Sequence, residues 1–212
     1  MRERLVILGA GGHGRALIEL LRDLPGYEPV GLVDARPPPG PVLGLPVLGD
    51  ESVLPALWRD GCRLACIAIG DNAARLAAGA RLEALGFALP ALVHPSAIVA
   101  RSAALAPGVV VLPRVVLGAL ARVGRLAILN TGAIAEHDTL LGEGAHIGPG
   151  AVLAGGVRVG ARALVGAGAA CKPYTGIGEA AVVGVGAAVV ADVAAGQSVG
   201  GVPARVLAAP GS

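Results

Sequence analysis

The chain has 212 residues, of which 54% are hydrophobic and 15% charged, with a formal net charge of +2 and only four aromatic residues: Tyr27, Trp58, Phe87 and Tyr174. A core filled with aromatic rings is excluded, and so is the basic stripe that marks a nucleic-acid binder. A membrane-spanning helix is not expected: the longest stretch free of Asp, Glu, Lys and Arg, 84–100, has 17 residues and carries Pro90, His94 and Pro95, whereas a span needs about 20 apolar residues.

Arg2, Glu3 and Arg4 lead straight into the apolar run 5–8, which reads as a buried strand, so no signal peptide is expected. Gly9-Ala10-Gly11-Gly12-His13-Gly14 follows, and 15–22 reads as a helix. A second strand is expected at 30–34, a loop at Pro37, Pro38, Pro39 and Pro41, a helix at 53–59, a strand at 65–69 and a helix at 73–85. Residues 89–93 lead out of this region. Alternating strands and helices imply a small, Rossmann-like parallel α/β sheet of about four strands. Cys62, Cys66 and Cys171 are odd in number and form no zinc or disulfide framework. They read as buried thiols in a soluble, reducing, cytoplasmic protein.

Gly9, Gly11 and Gly14 fit G-x-G-x-x-G, and Asp34 follows Gly14 by 20 residues. Glycines there let backbone N–H groups and a helix N-terminus approach a phosphate. The motif points to a diphosphate more firmly than to a nicotinamide, because so small a sheet leaves little room for a dehydrogenase and nothing in it demands hydride chemistry. A tight turn without ligand and an NAD site are the alternatives.

From Val93 the sequence repeats every six residues. Fifteen of eighteen first positions are Val, Leu or Ile, all eighteen fifth positions are Ala, Val or Thr, and nine second positions are Gly, with no slip in phase from 93 to 200. The fifth residue of one hexapeptide and the first of the next are two apart, so in a strand both face one side. They point inward, the sixth residue between them points outward, and the second to fourth turn the chain, with Gly at the second tolerating the dihedrals of the turn. Stacked coil on coil, such units form a parallel β-helix whose narrow interior suits Ala, Val and Thr.

This pattern resembles the hexapeptide-repeat acyltransferases. The resemblance implies a left-handed β-helix with three hexapeptides per coil, a homotrimer, and an acyl-CoA or acyl carrier protein donor; Gly201-Val202-Pro203-Ala204-Arg205 is similar to the end of that helix. Joined to Gly-Gly-His-Gly near the start, it resembles more narrowly the sugar O-/N-acetyltransferases of the sialic acid O-acetyltransferase type, which include UDP-4-amino-sugar N-acetyltransferases. The likeness runs over essentially the whole chain. It includes Ile67-Ala68-Ile69-Gly70-Asp71-Asn72, His94-Pro95-Ser96-Ala97, Asn130-Thr131, Glu136-His137-Asp138 and Gly144-Ala145-His146-Ile147-Gly148. It implies a nucleotide-sugar-binding α/β domain over 1–90 and an acetyltransferase β-helix over 91–212. By the same likeness Gly11, Gly12, His13 and Gly14 meet phosphate and sugar, while Asp34, Gly70 and Asp71 sit near the nucleoside. Ala35 follows Asp34 where UDP-sugar members can carry a second acid.

His137 is the third residue of its hexapeptide, hence exposed at a corner, and Glu136 and Asp138 flank it. From the residues alone it is either a solvated histidine or a general base whose imidazolium a neighbouring carboxylate stabilises; the resemblance makes it the base, oriented by Asp138 or Glu136. His146 is a sixth residue on a flat face, and the resemblance gives it a contact to acetyl-CoA. Ala167 and Val185 fall where relatives touch acetyl-CoA through backbone, and Gly155 and Gly156 leave room for a pantetheine arm. Lys172 and Arg205 read as solvated charges, and His94, before Pro95, as structural. His94, His137 and His146 do not have the spacing of gamma-class carbonic anhydrases, and no metal is needed. The resulting expectation is an acetyl-CoA-dependent transferase acting on the amino group of a nucleotide-linked sugar. O-acetylation of a sialic acid or related hydroxyl and a non-catalytic trimeric nucleotide-binding scaffold are the alternatives.

Overall fold

The computed structural model describes residues 2–207. The chain divides into two compact units, Met1–Pro90 and Ala91–Ser212.

In the first unit, β1 (Glu3–Leu8) runs into α1 (Gly12–Arg22), followed by β2 (Tyr27–Val33), β3 (Val47–Gly49), α2 (Leu54–Arg59), β4 (Leu64–Ile67) and α3 (Asn72–Ala84). The sheet order is β3-β2-β1-β4 and every pair is parallel. Leu5, Val6 and Ile7 are fully buried because β1 is central and covered on both faces. Leu17, Ile18, Leu20 and Leu21 recur at helical spacing and give α1 one buried face. The expected strand 30–34 begins earlier, at Tyr27, and the strand at Val47–Gly49 has no counterpart in the sequence reading. Pro46 and Gly49 bracket it too closely for any periodicity to show.

The second unit is a left-handed parallel β-helix. Its strands are two residues long, each the sixth residue of one hexapeptide and the first of the next, as in His146–Ile147. Three sheets of six, five and eight strands form its sides. Successive coils pair 18 residues apart, as in Ile128↔His146↔Leu164. Fifth and first residues point inward: Ala145 and Ile147 are fully buried, whereas His146 between them is half-buried. Coil-to-coil backbone bonds, such as the Ile128 N–H to the Ala145 carbonyl and the His146 N–H to the Ala163 carbonyl, satisfy the main chain along each face.

Two features of the repeat differ from the sequence reading. Save for Gly196, at φ +70° beyond the last full coil, the second-position glycines are not there for their dihedrals. A Cβ on Gly142 would lie 2.5 Å from the Ala161 nitrogen, and one on Gly118 would lie 2.5 Å from the His137 nitrogen. They are glycine because the next coil's backbone passes where a side chain would start. The left-handed conformation falls at the fourth position instead, on glycines with φ of +61° to +70° and on Arg114, Leu120, Leu126, Asp138, Arg162, Tyr174 and Ala180 with φ of +53° to +62°.

The phase also slips once. Val183 pairs with Val199 and Ile177 with Val193, 16 residues apart rather than 18. The corner at 190–192 is shortened, and Asp192 Oδ1 accepts the Gly176 N–H at 2.7 Å, standing in for a main-chain carbonyl. Val193 and Val199 are small and apolar in either frame, which hides the slip in the sequence. Beyond it the chain folds back, pairing Val199 with Val206 antiparallel.

Candidate active site

In the first unit the expected nucleotide-binding residues gather at the carboxyl ends of parallel strands, where open α/β sheets bind ligands. Gly11 to Gly14 follow β1, Asp34 follows β2, and Gly70 and Asp71 follow β4. The three motif glycines differ in what they do. A Cβ on Gly9 would lie 2.7 Å from the Ala68 carbonyl oxygen, and one on Gly14 2.5 Å from the Gly9 carbonyl oxygen. Packing of the loop on Ala68, just past β4, dictates the first, and packing of α1 on the loop dictates the second. A Cβ on Gly11 would meet nothing within 4 Å, so the space at Gly11 is left open to the outside.

Asp34 fixes this loop. Its Oδ2 accepts the Ala10 N–H at 2.7 Å and its Oδ1 the Arg36 N–H at 2.8 Å. Asp71 caps α3, accepting the Ala74 N–H at 2.7 Å. Both carboxylates, expected beside a nucleoside, thus first hold the backbone of the strand ends. Arg75, which nothing in the Ala-rich sequence of α3 singles out, is buried below them. Its guanidinium donates to the Ile69 and Gly70 carbonyls at 3.0 Å each and to Asn72 Oδ1 at 2.7 Å. Burial pulls its pKa down to about 10, so it stays a cation at neutral pH. His13 turns inward rather than onto the helix surface: its Nε2 is buried without a hydrogen-bond partner. Burial, then the Arg75 charge, lowers its pKa to about 4, so the ring is neutral at pH 7.

In the second unit, His137 stands at the corner between Ile134–Ala135 of the six-stranded sheet and Leu140–Leu141 of the five-stranded sheet. Asp138 takes φ +60°, and its Oδ2 lies 2.9 Å from His137 Nδ1. Asp138, not Glu136, is therefore the group that holds the ring, leaving Nε2 as the free edge. That edge lies over Gly155 in the next coil, where a Cβ would be 2.5 Å from both Cε1 and Nε2. Any side chain at 155 would displace the imidazole. The Gly155 carbonyl accepts the Tyr174 N–H at 3.0 Å and the neighbouring Gly156 N–H is bound to the His137 carbonyl at 2.9 Å, while the Gly155 N–H has no acceptor among the described residues.

His146 lies on the eight-stranded sheet, the side opposite the His137 corner. Its Nε2 is 3.3 Å from Asn130 Nδ2 in the preceding coil, while Asn130 Oδ1 accepts the Thr131 N–H at 2.8 Å. Asn130 thus sets the imidazole's orientation, a role the sequence shows only once the 18-residue coil is known. Ala167 and Val185 sit at the corner between the eight- and six-stranded sheets, so the structure groups them with His146 and groups Gly155 with His137. His94 is used locally: its Nδ1 is 2.7 Å from Ser96 Oγ and 3.0 Å from the Ser96 nitrogen. A concavity of about 810 Å³ is an open trough along the five-stranded sheet past Arg122, Leu140 and Arg158. Among the described residues no three His, Cys, Asp or Glu side chains converge as metal ligands, and no helix is long and apolar enough to cross a membrane.

Two family models match the chain: the PglD N-terminal domain over residues 4–82 and the bacterial transferase hexapeptide (six repeats) over 138–172. Among solved structures, a histidine-to-asparagine mutant of perosamine N-acetyltransferase from Caulobacter crescentus, in complex with CoA and GDP-perosamine, is 42% identical over 97% of each chain, with a TM-score of 0.94. The acetyltransferase domain of PglB from Neisseria gonorrhoeae, in complex with acetyl coenzyme A, is 36% identical over 98% of this chain and 100% of that one, with a TM-score of 0.91. WeeI from Acinetobacter baumannii is 25% identical over 97% of this chain and 100% of its own, with a TM-score of 0.88. With the loop, the coil and the His137 corner all in place, the identity over nearly the full length of both chains means that this chain belongs to the family of hexapeptide-repeat sugar acetyltransferases with a PglD-type amino-terminal domain.

Proposed function

We propose that the protein transfers the acetyl group of acetyl-CoA to the amino group of a nucleotide-linked amino sugar. The observation that carries this is the His137 corner: an imidazole held at Nδ1 by Asp138, its Nε2 edge over a glycine whose N–H is unpaired. The sugar amine attacks the thioester carbon, and His137 Nε2 takes the amine proton as the C–N bond forms. The Gly155 N–H donates to the oxyanion. Collapse breaks the C–S bond, and the imidazolium returns the proton to the departing CoA thiolate. Asp138 keeps the Nδ1 side protonated and steadies the cation in between.

In this reading residues 1–90 bind the nucleotide sugar and 91–212 carry the transfer. The open space at Gly11, the N-terminus of α1 and the buried Arg75 cation support a diphosphate there. Ala35 in place of a second acid, and the GDP-perosamine bound by a relative of 42% identity, make a GDP-linked amino sugar the first acceptor to try. His146, Ala167 and Val185 contact acetyl-CoA from a neighbouring subunit of a homotrimer. Three buried free thiols support a reducing, cytoplasmic setting.

The test is to incubate the protein with acetyl-CoA and GDP-, UDP- and CMP-linked amino sugars, following release of CoA thiol and the mass of the sugar product. An increase of one acetyl group on the amine of one nucleotide sugar is expected. Acetylation of a hydroxyl instead would shift the reading to O-transfer, and no transfer with any acceptor would sink it.

A further inference from the structure

Tyr174 belongs to the same corner as His137, two coils further on. The corner carries His137 and Asp138, then Gly155 and Gly156, then Pro173 and Tyr174. The imidazole leans over Gly155 from one side, and the Tyr174 ring leans over Gly156 from the other. Two adjacent residues without side chains are therefore flanked by the two rings.

Nothing in the fold asks for a tyrosine here. The fourth position of the corner demands the left-handed region, which Gly156 enters freely at φ +69° and Tyr174 occupies at φ +62°. Other side chains, Leu120 on the same corner among them, take the same conformation, so the backbone there does not select tyrosine. The ring gains little by packing, since Tyr174 is 77% exposed. In a chain with four aromatic residues, one stands exposed on the corner that carries His137.

We propose that Tyr174 is a positioning residue for the acyl donor: its ring forms the wall against which the pantetheine arm of acetyl-CoA lies as the thioester reaches His137. This rests on the reading of His137 as the base and Gly155 as the oxyanion donor. Gly155, with its unpaired N–H, belongs to the coil between those of His137 and Tyr174, so an arm joined to a thioester held there can continue over the glycine pair toward Tyr174. A thin, flexible chain fits a strip without side chains, and its methylenes suit an aromatic face. The attacking amine then comes from the other side of the imidazole.

The experiment compares Tyr174→Phe, Tyr174→Ala and Tyr174→Gly with the wild-type protein. Burying on the order of 50 Å² of apolar arm against the ring corresponds to about tenfold in binding. Tyr174→Ala and Tyr174→Gly should raise KM for acetyl-CoA and Kd for CoA, by calorimetry, about tenfold. They should leave KM for the nucleotide sugar and the sedimentation mass unchanged. Tyr174→Phe should bind CoA as the wild type does. Tyr174→Gly should also raise Tm, because glycine adopts the corner conformation without strain. Unchanged CoA affinity in the alanine variant, a rise in the nucleotide-sugar KM instead, or a fall in sedimentation mass would each overturn the assignment. If the wild-type protein itself binds no CoA, the functional reading fails as a whole; if wild type and variants bind CoA equally, only the role of Tyr174 falls.

Discussion

His137 shows how much chemistry one corner residue draws from its neighbours. Asp138 reaches Nδ1 because its left-handed conformation turns it back toward the ring, and Gly155 admits the other edge. With His137 as the proposed base, His137→Ala removes the proton acceptor and nothing that folds the coil, so kcat should fall by about 10²–10⁴ with CoA affinity retained; stopped assays beside calorimetry with CoA check both halves. The flanking acids were legible as a pair in the sequence, but which of them holds the ring depends on the sign of one φ angle, and residue types do not encode that. His13 carries a different consequence. Its proton is taken up in the unfolded chain near pH 6.5 but in the folded one only near pH 4. Its neutral burial therefore leaves stability intact above pH 6.5, and stability is lost as pH falls from there to about 4, by about 3 kcal/mol in all. Denaturation followed through Trp58, in the same unit, should show that fall between pH 7.5 and 4.5, and His13→Gln should flatten it. Equal acid sensitivity in both proteins would place the cause elsewhere.

Among the elements, the glycine loop separates structural need from functional need. Gly9 and Gly14 are fixed by packing, whereas Gly11 has φ −80° and open space, a backbone any residue adopts. Gly11→Val should therefore fold with a Tm close to wild type and lose nucleotide-sugar binding in a thermal-shift titration; loss of folding would mean that the loop is structural throughout. The G-x-G-x-x-G spacing located this loop, but Arg75 beneath it gave no signal, because one arginine in an amphipathic helix reads as surface. In the repeat, six-residue periodicity sorted inside from outside correctly, as at Ala145, His146 and Ile147. It misplaced the reason for the second-position glycines, since a pattern along one coil says nothing of the backbone passing in the next. It also missed the shortened corner, where Asp192 replaces a carbonyl. Asp192→Ala should cost about 1 kcal/mol through the unpaired Gly176 N–H, seen as a lower Tm and faster amide exchange confined to the last coils.

At the scale of the whole molecule, His137 and His146 face away from each other. One sits at a corner and the other on the opposite sheet, with the buried core between them. If both serve one transfer, two chains must meet at the site, and association becomes part of catalysis. His137→Ala and His146→Ala chains, each weak alone, should regain activity when unfolded and refolded together, because some interfaces then pair two intact histidines. Mixed oligomers confirmed by mass spectrometry but no more active than their parents would refute this. The 18-residue circuit that the family resemblance implies is enough to show that one chain cannot bring the two rings together. The same circuit turns sequence position into an angle. Six residues are a third of a turn, so a hexapeptide duplicated between Asp138 and Gly155 would leave a sound β-helix yet rotate the glycine to another corner, away from the imidazole. Eighteen would restore the angle but part the pair by a coil. Duplications that the scaffold absorbs anywhere are thus silent in evolution only outside that interval, and lengthened relatives should keep it intact.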